Sequence, residues 1–409
     1  MAPCGCVPDS IMTKKILSRT VVLLSLVSLF TDIASEMLYP VLPMYLASVG
    51  FSAPLIGMLE GLAESVAGLS KGFFGRRSDL RRKRVPFIRG GYVLSAVAKP
   101  LMALWSTPLW IFFARTSDRL GKGIRTGARD ALLSAEATPE TKARVFGFHR
   151  SLDTLGAVIG PLGALLFLQF FPAQYRALFL WSIIPGMCAA ACLFFIKERR
   201  SIATDVPHTS RQRFFDFLHY WPDASPSYKA LVRGLLAFAL VNSSDIFLLM
   251  MAKHRGLSDA ATIGVYVFYN IVYASFSYPA GQLADRFGLR KTYVSGLAIF
   301  AAAYGIMALT HTVAGFIVAF FIYGFYAAMN ESIGKAWITN LCKAEETATA
   351  IGFYTGLQSI AALLASTFAG VIWYLWHPAA VLAGSAIGAC VLCFYFIIVV
   401  RSGEVNAHT

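Results

Sequence analysis

Two short stretches with the same spacing of glycine and aspartate indicate how this chain is organised. The first is Gly75-Arg-Arg-Ser-Asp79, and the second is Gly281-Gln-Leu-Ala-Asp285-Arg286, 206 positions farther along. A second correspondence joins Ala143-Arg-Val-Phe-Gly147-Phe148 to Ala348-Thr-Ala-Ile-Gly352-Phe353 at an offset of 205 positions. Because two independent matches share nearly one offset, we infer that the chain consists of two parallel, similar halves.

The composition places these halves in a membrane. Of the 409 residues, 57% are hydrophobic and 14% are charged, and the mean hydropathy is +0.61. Soluble domains carry about 25% charged residues, so a disordered chain, a disulfide-rich secreted module and a typical cytosolic enzyme are excluded. A spanning helix needs about 20 mostly apolar residues. About twelve segments qualify, near 19–48, 55–75, 86–105, 108–128, 144–171, 177–196, 229–252, 261–282, 292–311, 314–339, 347–372 and 379–400.

The charges of the loops predict the orientation. Alternate connections, such as 76–84 and 197–213, are rich in Lys and Arg, whereas those around Ser52, Thr107 and Thr312 hold none. By the positive-inside rule both termini are cytoplasmic in a multi-pass protein of the inner (plasma) membrane. The net charge of +14 then reflects topology, and we expect no binding to nucleic acid. The predicted organisation is a tail over 1–18, six-helix bundles over 19–196 and 229–400 joined by a cytoplasmic linker over 197–228, and a tail over 401–409.

These motifs resemble those of the major facilitator superfamily over essentially the whole chain. That family repeats a loop of Gly, Asp-Arg, Gly and basic residues, which 281–291 fits well; 75–84 departs from it at Leu80 and Arg82. Two further stretches, 119–123 and 156–163, resemble motifs of its proton-driven exporters. The resemblance implies an all-α integral membrane protein of twelve transmembrane helices in two pseudo-symmetric six-helix bundles. It also implies that spans one, four, seven and ten line a central cavity.

The repeated loops and the stretch 156–163, which we call the Gly/Pro motif, predict residues that gate this cavity. A carboxylate at a helix end can pair with loop arginines or with the N-terminus of a neighbouring helix. The Gly/Pro motif in the fifth span implies a bend that shapes the gate. The predicted gating residues are Gly75, Asp79, Gly281, Asp285, Arg286, Gly160 and Pro161.

Ionisable residues inside the apolar segments predict the proton-coupling site. A charge at the bilayer centre costs about 2.5–3.5 kcal/mol, so such residues face a cavity or form pairs. Asp32 and Glu36 lie four residues apart on one helical face, where mutual repulsion helps one of them carry a proton. The alternative is that a basic partner neutralises each carboxylate. With Arg119, which the resemblance implies is proton-linked, they form the predicted proton-coupling set.

The fourth span carries charges at three- and four-residue intervals, which form one polar stripe. We expect its central turns to line water or substrate, and Arg125 and Arg129 to reach the interface by snorkelling. In the second half, Glu331 and Lys335 are spaced to pair with each other. We read Lys71 as a member of a structural ion pair. The predicted substrate-binding residues are Arg115, Lys122, Asn242, Asp245, Tyr269, Asn330, Glu331, Lys335, Tyr354 and Gln358.

The motifs that are absent narrow the function. The sequence has no phosphate-binding loop, no zinc motif and no nucleophile elbow, so we expect no ATP hydrolysis, no metal, no cofactor and no enzyme activity. We predict a monomeric secondary active transporter in the lipid bilayer, driven by the proton gradient and working by alternating access. The cationic stripe indicates a small organic anion or carboxylate-bearing metabolite, such as a siderophore.

Two other functions stay open at this point. The first is a proton-driven multidrug efflux pump for amphipathic compounds, which Asp32, Glu36, Asp245 and Glu331 would recognise among aromatic side chains. The second is a membrane enzyme or a sensor without transport activity, for which the sequence holds no catalytic constellation. Sensitivity to many drugs in a knockout would favour the pump, and transport that collapses with an uncoupler would exclude the enzyme or sensor.

Overall fold

The computed structural model describes residues 17–39, 41–42, 45–46, 49–51, 53–172, 174–197, 214–242, 245–257 and 259–400, which contain no β-strand. The helices of the first half are α1 (Arg19–Glu36), α2 (Ala53–Leu80), α3 (Val85–Leu101), α4 (Pro108–Ala135), α5 (Lys142–Phe170), α6 (Tyr175–Trp181) and α7 (Ile183–Phe194). After a 3₁₀ turn, those of the second half are α8 (Tyr220–Asp223), α9 (Pro226–Val241), α10 (Ile246–His254), α11 (Asp259–Phe287), α12 (Leu289–Leu309), α13 (Val313–Asn340), α14 (Thr347–Leu375) and α15 (Pro378–Ile398).

Local capping chemistry sets where several of these helices begin. The Ser18 side chain accepts a hydrogen bond from the backbone N–H of Val21 at the start of α1. Thr312 does the same for Gly315 at the start of α13. Pro108 opens α4, at a position where the missing N–H would be unpaired in any case. These residues separate the apolar segments into individual spans.

The apolar surface of the helices fits a membrane environment. Among the described residues, six helices are long and apolar enough to cross a membrane, counting α6 and α7 as one. Others carry buried charges, and α4 is the clearest case. Large apolar side chains such as Leu166, Phe368 and Phe394 are exposed on the outside, whereas soluble monomers rarely expose large contiguous apolar patches.

The seventh predicted span, 229–252, consists of two short helices. Helix α9 ends at Val241, Asn242 is extended, and α10 begins at Ile246. This arrangement leaves Asn242 and Asp245 at the ends of two short helices, where their side chains line the interior.

The two halves approach each other closely at one end of the bundle. A Cβ added to Gly75 of α2 would lie 2.4 Å from the Ala348 carbonyl oxygen, and one added to Gly147 of α5 would lie 2.4 Å from that of Ser277 in α11. Small residues permit such approach. We call this end, which carries the loops after α2 and α11, the basic-loop side. The structure is therefore a state in which the halves are closed on the basic-loop side.

Candidate functional site

A cavity of about 480 Å³ lies between the two halves. Its lining comes mainly from α1, α2, α4 and α5 of the first half and from α9, α11, α13 and α14 of the second. The predicted coupling and substrate residues that line it are Asp32, Glu36, Arg119, Lys122, Asn242, Asp245, Tyr269, Asn330, Glu331, Lys335, Tyr354 and Gln358. Helices from both halves thus bring nearly all of the predicted set into one enclosure.

The two carboxylates of α1 face this cavity one turn apart. Asp32 lies near Asp153 on α5, and Glu36 faces Lys122 and Arg119 on α4. Within the described part of the chain, neither Asp32 nor Glu36 forms an ion pair with a cation. Both carboxylates are therefore neighbours of cations without being bound to one.

Three cations of the first half face the cavity without a carboxylate partner among the described residues. They are Lys71 on α2 and Lys122 and Arg125 on α4, which we call the cation group. The Arg125 guanidinium lies 4.3 Å from the ring centre of Tyr92, and its Nε and Nη1 are buried without a hydrogen-bond acceptor. Uncompensated positive charge in a cavity with low-dielectric walls attracts anions.

Three further charges of α4, Arg115, Asp118 and Arg119, are paired within the first half. Arg119 Nε lies 3.2 Å from Glu64 of α2. Asp118 is 3.1 Å from Lys99 of α3 and 3.4 Å from Arg115. Arg115, which the sequence predicts to bind substrate, is outside the cavity lining and 7% exposed. The structure places it in an ion-pair cluster with Asp118 and Lys99.

Two ion pairs connect the halves at the cavity. Arg150 of α5 lies 2.7 Å from Asp153 on its own helix and also pairs with Glu331 of α13. Lys335 of α13 lies 2.9 Å from Asp130 of α4, whose carboxylate is 1% exposed. The sequence predicts that Glu331 and Lys335 pair with each other. This prediction is wrong, because each residue has a nearer partner on the opposite half.

The second half contributes hydroxyl and amide groups to the cavity. The Tyr323 hydroxyl donates to Asp245 at 2.6 Å. Asn242 donates to the Tyr326 hydroxyl at 3.5 Å and accepts from the Tyr304 hydroxyl at 3.4 Å. Asp245 has no ion pair with any cation that the structure describes. The tyrosines that line the cavity are Tyr266, Tyr269, Tyr273, Tyr293, Tyr326 and Tyr354.

Two aspartates at helix ends join the halves on the basic-loop side. Asp79 accepts hydrogen bonds from the backbone N–H and the hydroxyl of Thr349, at 2.7 and 2.9 Å, in the first turn of α14. Asp285 accepts from the backbone N–H of Arg144 at 3.2 Å, in the first turn of α5. Carboxylates are stabilised at helix N-termini. Both residues lie beyond the predicted spans, and burial raises the pKa of Asp79 to about 7 and that of Asp285 to about 6.

The remaining predicted gating residues occupy different places. Like Gly75, Gly281 lies at a contact between halves, where an added Cβ would be 2.5 Å from the Ala143 carbonyl oxygen. Gly160 instead packs α5 against α1 of the same half, and Pro161 follows it inside the helix. The Arg286 guanidinium carbon lies 5.5 Å from the ring centre of Phe287. The structure thus places the glycine and the aspartate of each repeated loop against the start of a helix in the opposite half.

Sequence reasoning missed several charged residues of this site. The cavity lining includes Lys71, Arg125 and Arg129, so the predictions of a structural pair and of snorkelling are wrong. Arg129 lies 2.9 Å from Asp130. The unbroken spacing of charges along α4 could have identified both arginines. Arg150 and Asp153 lie three residues apart, a spacing that indicates at most a pair within one helix, because nothing local indicates a partner on the opposite half.

Comparisons with known proteins cover nearly the whole chain. The model of a family described as the Major Facilitator Superfamily matches residues 24–269 and 234–408. The uncharacterized MFS-type transporter MJ1317 of Methanocaldococcus jannaschii is 31% identical over 381 residues, 91% of this chain and 92% of that protein. The staphyloferrin B transporter of Staphylococcus aureus is 25% identical over 390 residues, 91% of this chain and 90% of that protein.

A solved structure gives the same result for the fold. The crystal structure of the human organic anion transporter MFSD10 aligns with a TM-score of 0.74 at 15% identity, over 92% of this chain and 99% of that one. Together with the family match, this likeness confirms the predicted architecture of twelve transmembrane helices in two six-helix bundles.

Proposed function

This chain belongs to the Major Facilitator Superfamily, and on that basis we propose that it transports a small organic anion with several carboxylates by proton-coupled alternating access. Family and fold make it a multi-pass membrane transporter that binds small molecules. We further propose that it works as a monomer in the inner (plasma) membrane without binding nucleic acid. Both termini and the basic-loop side would then face the cytoplasm. The proton gradient would supply the energy for transport, and no cofactor would be needed.

The observation that carries this proposal is the cation group. Its three members face one cavity, and the described residues offer none of them a carboxylate partner. Unpaired charge is costly in a low-dielectric interior. A bound carboxylate would supply the missing partner and would accept from the orphaned Nε and Nη1 of Arg125. Charge-assisted hydrogen bonds of this kind are the strong ones.

The opposite wall of the cavity suits the rest of such a molecule. The tyrosine hydroxyls and the side chains of Asn242 and Gln358 can exchange hydrogen bonds with hydroxyl, amide or further carboxyl groups. The name of the staphyloferrin B transporter, a relative of similar length, supports a siderophore or similar carboxylate as substrate. The name of the human organic anion transporter supports the broader class.

The lining gives the multidrug pump no comparable support. A pocket for amphipathic compounds is expected to be mostly apolar with few polar groups, whereas this one is lined by charges from both halves. Asp245 lacks a described cation partner, but the neighbouring tyrosine hydroxyl already donates to it. We therefore keep the anion as the proposed substrate.

A counterflow screen in proteoliposomes tests this function. Purified protein is reconstituted, and the exchange of labelled di- and tricarboxylates, citrate among them, is measured. We expect saturable exchange of at least one of them. We expect Lys122→Gln to lower it at least about tenfold, the effect of losing one charge-assisted hydrogen bond.

The matched control is Lys291→Gln, because Lys291 is exposed at the start of α12, away from the cavity. Anion exchange that is equal in Lys122→Gln and Lys291→Gln would contradict the assigned site. Export of many amphipathic drugs with no anion exchange would instead establish the multidrug pump.

A further inference from the structure

Arg150 is one of the side chains through which the first half contacts the second half at the cavity. Its Nη1 lies 2.7 Å from Asp153 on its own helix. Its Nη2 pairs with Glu331 of α13, and its Nε donates to the Tyr273 hydroxyl of α11. A guanidinium is planar, so its donors keep a fixed geometry. A change in the charge at Asp153 therefore alters the ion pair between Arg150 and Glu331.

Asp153 has a second carboxyl beside it. Asp32 faces Asp153 across the contact of α1 with α5, where a Cβ added to Gly156 would lie 2.9 Å from the Asp32 Cβ, and the Ser28 hydroxyl donates to Asp153 Oδ1. Two neighbouring carboxylates repel each other when both are ionised, so the pair favours binding one proton. The Asp32–Asp153 pair lines the cavity and can receive that proton from water.

Arg150 differs from the other groups around this pair. The charged and titratable groups that face the pair are Glu36 on α1, Lys122 and Arg129 on α4, and His149 and Arg150 on α5. Within the described part of the chain, Arg150 is the member of this set that forms an ion pair with a residue of the second half. The other four act on the pair from within the first half.

We propose, on the basis of the proposed function, that the Asp32–Asp153 pair binds the coupling proton and that Arg150 is the positioning residue that links it to Glu331. With the proton bound, the pair carries one negative charge, and Arg150 is shared between Asp153 and Glu331. When an O–H bond of the pair breaks and the proton leaves to water, two negative charges attract Arg150. Its contact with Glu331 weakens, and the halves can separate on the basic-loop side.

A distance measurement across the basic-loop side tests this without any substrate. Spin labels replace Lys83 and Lys343, which are exposed on opposite halves, in a full-length protein whose native cysteines are serine. The background carries Asp79→Asn and Asp285→Asn, so that the gating aspartates do not titrate. We expect the ratio of closed to open molecules to rise at least about fivefold from pH 8 to pH 5.

Two variants should each abolish this pH dependence, one by keeping the protein closed and the other by keeping it open. Asp32→Asn leaves the pair with one charge at every pH, so the protein should stay closed. Glu331→Gln removes the charged partner of Arg150 in the second half, so the protein should stay open. The control Asp223→Asn, at an exposed position in α8, should keep the full response.

The inference is overturned if Asp32→Asn keeps the full pH response, or if Asp32→Asn and Glu331→Gln shift the population in the same direction. A purely structural role for these residues would give that second result. Because no anion is present, this outcome is independent of the counterflow screen. A failed screen with a normal pH response would count against the anion and not against the proton site.

Discussion

At the scale of single residues, buried charges in this molecule fall into paired and unpaired groups. Lys99 is 2% exposed, and its Nζ lies 3.1 Å from Asp118 and 3.2 Å from the Ser95 carbonyl oxygen. The cation group, by contrast, has no described carboxylate partner. Removing one partner of a buried pair leaves an uncompensated charge. We therefore expect substitutions in the first group to affect stability, and those in the second to affect transport.

Asp118→Asn should destabilise the protein strongly. It leaves Lys99 buried without its carboxylate, and breaking a buried pair typically costs about 3–5 kcal/mol. Thermal unfolding of the purified protein in detergent, followed by tryptophan fluorescence, should show a clear fall in midpoint. The exposed Asp223→Asn is the matched control. Equal midpoints for the two variants would show that the Lys99–Asp118 pair does not stabilise the fold.

At the scale of elements, the crossing of α2 and α14 holds the closed state. An added Cβ would lie 2.4 Å from the Ala348 carbonyl oxygen at Gly75, and 2.6 Å from the Lys71 carbonyl oxygen at Gly352. These contacts are with backbone atoms, which cannot rotate away as a flexible side chain does. The two helices can therefore approach this closely only because glycine occupies both positions.

Gly75→Ala should shift the protein away from the state closed on the basic-loop side. The methyl group forces α2 and α14 apart in that state and costs little once they have separated. With spin labels at positions 83 and 343, we expect longer distances to gain population. Gly305→Ala on α12 is the control, because an added Cβ there meets no atom within 4 Å. Equal distance distributions in the two variants would contradict this role of the crossing.

At the scale of the whole molecule, the gating aspartates make closure depend on pH. The pKa of Asp79 is raised to about 7 and that of Asp285 to about 6 in the closed state, from an ordinary value of 3.8. The state with the higher pKa binds more protons, so acid favours it. The closed fraction should fall as the pH rises from about 4 to about 7 and level off above.

The same spin-label distances, recorded across this pH range, measure that fraction. Asp79→Asn combined with Asp285→Asn should remove the part of the response that these two groups cause. A response that is identical with and without the two substitutions would show that closure does not depend on their protonation. The part that remains is the one assigned above to Asp32 and Asp153.

The sequence predicts the fold much better than it predicts the contacts of the site. The repeat and the span count follow from local patterns, which one chain shows directly. The partners of Glu331 and Lys335 lie on the opposite half, and no local spacing encodes them. The prediction that Lys71 belongs to a structural ion pair is wrong for the same reason. The glycines around Lys71 indicate helix packing, but only the position of α4 shows which face of α2 lines the cavity.

The central claim is that the protein binds a carboxylate anion in this cavity and transports it with energy from the proton gradient. Its most direct test is labelled anion flux in proteoliposomes under an imposed pH gradient, with and without a protonophore. We predict saturable flux that collapses with the protonophore and falls at least about tenfold in Lys122→Gln but not in Lys291→Gln. Flux no greater than in protein-free liposomes for every di- and tricarboxylate, or flux indifferent to the gradient, would contradict the account.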